Sequence, residues 1–100
     1  MARPFTYRWR DAVAESSTLS LGERAVAWRL ADYADPNGGS IRPGHARLAR
    51  EVGYKVSPDA TKHDVVSRAI RSLLHLGFLD LVSPGHRGHA AVYRLTIPPR

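Results

Sequence analysis

Six polar side chains project from one side of the segment between Thr61 and Gly77 when that segment is drawn as a helix. They are Lys62, His63, Ser67, Arg68, Arg71 and Ser72. Side chains of these types contact phosphate oxygens and base edges of nucleic acids, and one Arg can donate two hydrogen bonds to a guanine. The spacing therefore predicts a helix that presents a cationic, hydrogen-bonding face to double-stranded DNA. The simpler alternative is a basic helix face that meets only solvent.

Two smaller basic groups are expected to assist this helix. Arg42 and Arg47 lie just before and within a predicted helix of about two turns. The first helix of a helix-turn-helix pair crosses the DNA backbone, so both arginines are expected on phosphates. His86 and Arg87 lie in a glycine-containing turn, where an Arg suits a narrow minor groove. An ordinary solvent-exposed turn is the alternative for that second group.

The sequence contains no legible arrangement for catalysis or metal binding. Its nine acidic residues are scattered among arginines, and no nucleophile lies at a recognisable spacing from a base. His86 and His89 could pair on a metal ion, but nothing supplies the third and fourth ligands that a zinc site requires. With no Cys there is no thiolate site either. We therefore expect neither an enzyme nor a cofactor, and no small-molecule substrate.

Length and charge limit the possible classes of protein. One hundred residues with 43% apolar content make one domain with a modest core. The balance of 15 Lys and Arg against nine Asp and Glu gives a net charge of +6, which favours a polyanionic partner. The excess of Arg over Lys could equally reflect a GC-rich genome. No apolar run approaches the ~20 residues that span a bilayer, and the N-terminus lacks the apolar centre of a signal peptide. A cytoplasmic protein without membrane contact is expected.

Periodicity and capping residues predict the elements that position these side chains. Ser20 and Glu23 form a capping box, as do Thr61 and Asp64 with Asp in place of Glu. Gly77 stands where a left-handed residue ends a helix, and the apolar period then changes from 3.6 to 2. The predicted order is a helix from 20 to about 34, a short strand 40–42, a helix 45–52, a helix 61–76, and strands 78–82 and 91–97.

That order is the order of a winged helix-turn-helix. The predicted class is α+β, with three core helices, a C-terminal β-hairpin wing and a short additional strand. Residues 1–18 are predicted to be an N-terminal arm or a short helix, 19–97 the winged-helix domain, and 98–100 a tail. Arg3, Arg8 and Arg10 would reach an adjacent groove from such an arm, or would belong to a disordered tail.

Two runs carry a family resemblance that covers Leu19 to Leu95. ADYADPNGGS (31–40) and AIRSLLHLGFL (69–79) resemble the small winged-helix domains of actinobacterial phage and plasmid proteins. Many of those domains lie at the N-terminus of replication initiators, and others are stand-alone regulators. Ser67 to Ile70 matches the end of the family's recognition-helix pattern, whereas the stretch from Tyr54 to Lys62 is longer than the pattern. The resemblance implies sequence-specific double-stranded DNA binding in origin recognition or transcriptional regulation.

Other roles for the same fold remain open at the level of sequence. An excision or recombination accessory factor would bind DNA in the same way. A winged helix used as a protein-interaction module would bury an apolar or acidic recognition face, whereas this face is basic. A homodimer is a further expectation, because operators often have two-fold symmetry, and Trp9, Trp28 and Tyr54 are the candidates for its surface.

Overall fold

The computed structural model describes residues 4–35, 38–39, 41, 45–53, 64–88 and 91–99. Within these residues, four helices precede a two-stranded antiparallel sheet, so the chain is a small α+β domain. The elements are α1 (Phe5–Glu15), α2 (Leu21–Ala31), α3 (His45–Glu51), α4 (Asp64–Leu76), β1 (Leu79–Ser83) and β2 (Val92–Leu95). The structure therefore has one more helix than the three predicted for the core.

Helix α2 begins at the predicted capping box. The Ser20 hydroxyl oxygen accepts from the Glu23 backbone N–H at 3.1 Å, and the Glu23 carboxylate accepts from the Ser20 backbone N–H at 2.8 Å. The helix ends at Ala31, three residues before the predicted end. Its last turn tightens, because the backbone N–H groups of residues 32, 33 and 34 each bond to the carbonyl three residues back rather than four.

A left-handed glycine joins α4 to β1, as the sequence predicts. Gly77 has φ +88°, its N–H donates to the Leu74 carbonyl at 3.3 Å, and the Phe78 N–H donates to the Leu73 carbonyl at 2.8 Å. This pair of bonds is a Schellman motif, which satisfies two carbonyls at the helix end. The helix begins at Asp64, three residues after the predicted start, and Thr61, the other residue of the proposed box, lies outside the described residues.

The sheet is a hairpin with one additional bridge. β1 pairs with β2 from Leu79 opposite Leu95, and a bulge interrupts the register between Leu81 and Ser83. On the other side of β2, Ile41 and Tyr93 exchange backbone hydrogen bonds of 3.0 and 2.9 Å. The predicted third strand is thus present as a single bridge at Ile41, and its neighbours 40 and 42 lie outside the described residues.

Of the two predicted alternatives for the N-terminal residues, an arm or a short helix, the structure has a helix, α1, and it is part of the core. Trp9 and Val13 are fully buried, and Trp9 packs edge-on against Phe78 with 6.5 Å between ring centres. The Trp9 indole N–H lies 2.9 Å from the backbone carbonyl oxygens of both Phe78 and Thr96. The first helix is thereby fixed to the junction of α4 with the sheet. Trp9, a candidate for the dimer surface, is consequently unavailable for it, and Tyr54, another candidate, lies outside the described residues.

Candidate nucleic-acid interface

The exposed side of α4 is a line of three cationic or ionisable side chains. Arg68, Arg71 and His75 are all exposed, at spacings of three and four residues. On the opposite side, Val66, Ala69, Ile70 and Leu73 are at most 3% exposed. Seven residues of helix correspond to about 10 Å of rise, so the three side chains form a ridge along two turns. We call Arg68, Arg71 and His75 the α4 ridge.

The two predicted serines flank this ridge and do not belong to it. Ser67 and Ser72 are half-buried, on opposite edges of the helix. Ser72 bonds to the Glu23 carboxylate in the capping box of α2. The Ser20 backbone N–H, together with the hydroxyls of Ser72 and Ser20, holds the pKa of Glu23 below its ordinary value. Ser72 therefore joins α4 to α2 in this structure.

His75 is a member of the ridge that the sequence reasoning did not select. It lies four residues after Arg71 and seven after Arg68, which is the spacing of one helix face. Helical periodicity alone could have identified it. Lys62 and His63, which the sequence placed at the start of the same face, lie outside the described residues.

Helix α3 presents Arg47 beside the ridge-bearing helix, because α3 packs against both α2 and α4. Arg47 is exposed over 72% of its side chain, and its Nε donates to the Glu51 carboxylate at 2.8 Å. Its guanidinium carbon lies 5.7 Å from the centre of the Tyr33 ring. A guanidinium held by one carboxylate and one ring is pre-oriented, which lowers the entropy lost when it binds a phosphate. Arg42, its predicted companion, lies outside the described residues.

Glu51 is the centre of the cluster that holds Arg47. The Tyr33 hydroxyl and the Arg29 Nε donate hydrogen bonds to the same carboxylate. These donors, Tyr33 first and then Arg29 and Arg47, lower the pKa of Glu51 to about 2. Burial, followed by the bond to Glu51, raises the pKa of the Tyr33 phenol. The carboxylate thus remains charged at neutral pH and links the end of α2 to α3.

An ion-pair chain extends this cluster to α1. Asp32 accepts from Arg29 at 3.1 Å and from Arg10 through a shorter contact. Arg10 also donates to the Trp28 carbonyl at 3.2 Å, so it is held inside the fold and does not extend from a free arm. The first three helices are therefore connected by alternating charges along their common edge.

The tip of the hairpin carries the remaining predicted contacts. His86 and Arg87 are exposed, as is Gly88, which has φ +82° and no atom within 4 Å of the point where a Cβ would stand. A backbone this open permits close approach to another molecule. His89 lies outside the described residues. Among the residues described, no three or more His, Asp or Glu side chains lie close enough to hold a metal ion.

The arrangement brings cationic side chains onto three separate elements, namely α3, α4 and the hairpin tip. None of the described helices combines the length and the apolar character of a bilayer-spanning segment. Comparison of the chain with models of known protein families, with curated proteins and with solved structures gives no match.

Proposed function

We propose that the protein is a winged-helix domain that binds double-stranded DNA in a sequence-specific manner. The order α2, Ile41 bridge, α3, α4, β1 and β2 corresponds to helix, short strand, two helices and a hairpin wing. Helix α4 is then the recognition helix, and the turn between β1 and β2 is the wing. The proposed role is replication-origin recognition or transcriptional regulation of the phage or plasmid type.

The observation that carries the proposal is the α4 ridge. A recognition helix needs a buried apolar side that fixes it and an exposed side whose donors reach base edges. Helix α4 has both, with Arg68 and Arg71 exposed and Leu73 fully buried. A net charge of +6 supports the same partner, because each Lys or Arg that neutralises a phosphate releases bound counterions and so strengthens binding to DNA.

The other two cationic elements have supporting roles in this proposal. Arg47, held by Glu51 and Tyr33, binds a backbone phosphate, which fixes the register without reading sequence. Arg87 and His86 enter the minor groove from the wing, where a narrow A·T tract attracts an Arg. Ser72, which is bonded to Glu23, contributes to positioning α4 rather than to reading bases.

The test is selection of bound sites from random duplex DNA at physiological salt with the native protein, Arg68→Ala and Arg71→Ala. We expect a recovered motif that loses information at one position when a base-reading Arg is removed. An Arg–guanine pair contributes about 1–3 kcal/mol, so affinity for the best site should fall roughly 5- to 150-fold.

Arg8→Ala is the matched control, because α1 is anchored in the core and does not carry Arg8 into a groove as an arm would, and the substitution removes the same charge from an exposed position over the ring of Phe5. The control should leave the motif and the affinity unchanged. Failure of the native protein to recover any motif, with equal binding by all variants, would contradict sequence-specific recognition.

A further inference from the structure

A second surface, remote from the α4 ridge, exposes large apolar side chains. Leu21 is 80% exposed, Tyr7 50% and Trp28 46%, and Ala14 and Ala25 are exposed between them. We call these five residues the α1–α2 face. A cluster of exposed apolar side chains rimmed by polar groups is typical of an interaction surface.

The shape of this face contains both projections and hollows. One hollow of about 280 Å³ is lined by Ala14, Leu21, Arg24, Ala25 and Trp28, and a second of about 500 Å³ also includes Ala25 and Trp28 in its lining. Trp28 thus borders both hollows, and Leu21 projects beside the smaller one. A two-fold interface requires one patch to supply both the projection and the recess that receives it. The α1–α2 face meets this requirement.

The charges around the face are balanced. Three arginines line the two hollows (Arg10, Arg24 and Arg29), and three acids line them with the arginines (Asp11, Asp32 and Glu51). The chain as a whole carries +6, so two copies repel each other over most orientations. Here the mixture of both signs lessens that repulsion at the contact, and it does not favour a polyanion or a strongly acidic protein. A second copy presents the same three arginines and three acids, so a two-fold arrangement can set opposite charges against each other.

The aromatic side chains of the face are already ordered. The Arg10 guanidinium carbon lies 5.9 Å from the ring centres of both Tyr7 and Trp28. Arg10 is itself paired with Asp32. Rings fixed in the free molecule lose less conformational freedom when they bind, which favours association.

We propose that the α1–α2 face binds the same face of a second copy about a two-fold axis, a property additional to the proposed DNA binding. Each helix of 11 residues is about 16 Å long, so the face offers a few hundred Å². This is less than the ~800 Å² per partner of a standard interface, and dissociation constants in the micromolar range are expected.

The dimer has a defined orientation relative to DNA. Glu23 on one side of α2 bonds to Ser72 of α4, whereas Leu21, Ala25 and Trp28 are exposed on the other side of α2. A dimer built on the exposed side places its two α4 ridges on outward surfaces. Such a dimer holds two separate duplex segments and does not read adjacent half-sites on one face of a duplex.

Sedimentation equilibrium of the native chain without DNA tests the proposal. We expect a monomer–dimer equilibrium over micromolar concentrations, with Leu21→Glu and Ala25→Glu remaining monomeric up to about 1 mM. Leu21→Glu places a charge on the projection that must be buried in the partner, and Ala25→Glu fills the hollows. Both positions are exposed on α2, so folding is retained and is checked by thermal unfolding.

Val82→Glu is the matched control, because it introduces the same charge at a position 55% exposed on β1. It should dimerise like the native chain. A native chain that stays monomeric at about 1 mM overturns the proposal. Dimerisation that survives Leu21→Glu and Ala25→Glu, or that Val82→Glu also abolishes, overturns the assignment to this face. Because DNA is absent, none of these outcomes depends on the proposed DNA binding.

Discussion

Single side chains decide how the cationic groups are held. Glu51 accepts from Tyr33, Arg29 and Arg47, which fixes Arg47 while most of its surface stays in solvent. The sequence predicted Arg47 as a phosphate contact but gave no sign of this cluster. Tyr33 and Glu51 are 18 residues apart, and only the folded chain brings them together.

The low pKa of Glu51 predicts a specific loss of stability in acid. Because the pKa is about 2 in the folded chain against an ordinary 4.5, the stabilisation is complete above pH 4.5 and is lost as the pH falls towards 2. Chemical denaturation as a function of pH should show that Glu51→Gln is destabilised at neutral pH and varies less than the native chain across this window.

Asp80→Asn serves as the control for this measurement, because it removes the same charge from an exposed position on β1. Its curve should follow the native one. A Glu51→Gln curve with an unchanged acid slope would contradict the role given to the carboxylate.

At the scale of elements, local signals predicted most of the fold. The capping box at Ser20, the apolar stripe of α4 and the stop at Gly77 act over a few residues, and all three are present. Helix α1 was harder to assign, because its apolar pattern consists of little more than Trp9 and Val13. The partners of the Trp9 indole are 69 and 87 residues away, so no local pattern identifies them.

Trp9→Phe tests how firmly α1 is attached. The substitution keeps an aromatic ring but removes the indole donor from the carbonyl oxygens of Phe78 and Thr96, of which the Phe78 oxygen still accepts from the Thr96 backbone N–H at 2.9 Å. We expect the free energy of unfolding to fall by about 1–3 kcal/mol, from the lost buried hydrogen bonds and the smaller ring. Trp28→Phe, at a half-exposed position, should change it much less. Equal effects of the two substitutions would contradict the structural role of α1.

At the scale of the whole molecule, the proposed functions occupy different sides. The α4 ridge, Arg47 and the hairpin tip carry the cations, whereas the lining of the α1–α2 face is neutral. Sequence patterns identified the ridge arginines, because helical spacing separates exposed from buried positions. They assigned Ser72 to the same surface and did not find the α1–α2 face as a unit, because both depend on how α2 packs against its neighbours.

The salt dependence of DNA affinity tests whether Arg47 contacts a phosphate. The logarithm of DNA affinity should fall linearly with the logarithm of salt concentration, by about 0.9 for each phosphate contact. Arg47→Ala should reduce that slope by about one and weaken binding to all sequences alike. Arg8→Ala should preserve the slope. If Arg47→Ala also keeps the native slope, Arg47 does not bind a phosphate.

The contrast between the two tryptophans gives the molecule two separate optical reporters. Trp9 is fully buried, so its fluorescence emission changes when the protein unfolds. Trp28 lies half in solvent between the two hollows, so its emission responds to whatever covers that surface. A variant that retains only Trp9 would therefore report unfolding by its fluorescence spectrum. A variant that retains only Trp28 would report association, and neither needs an attached dye.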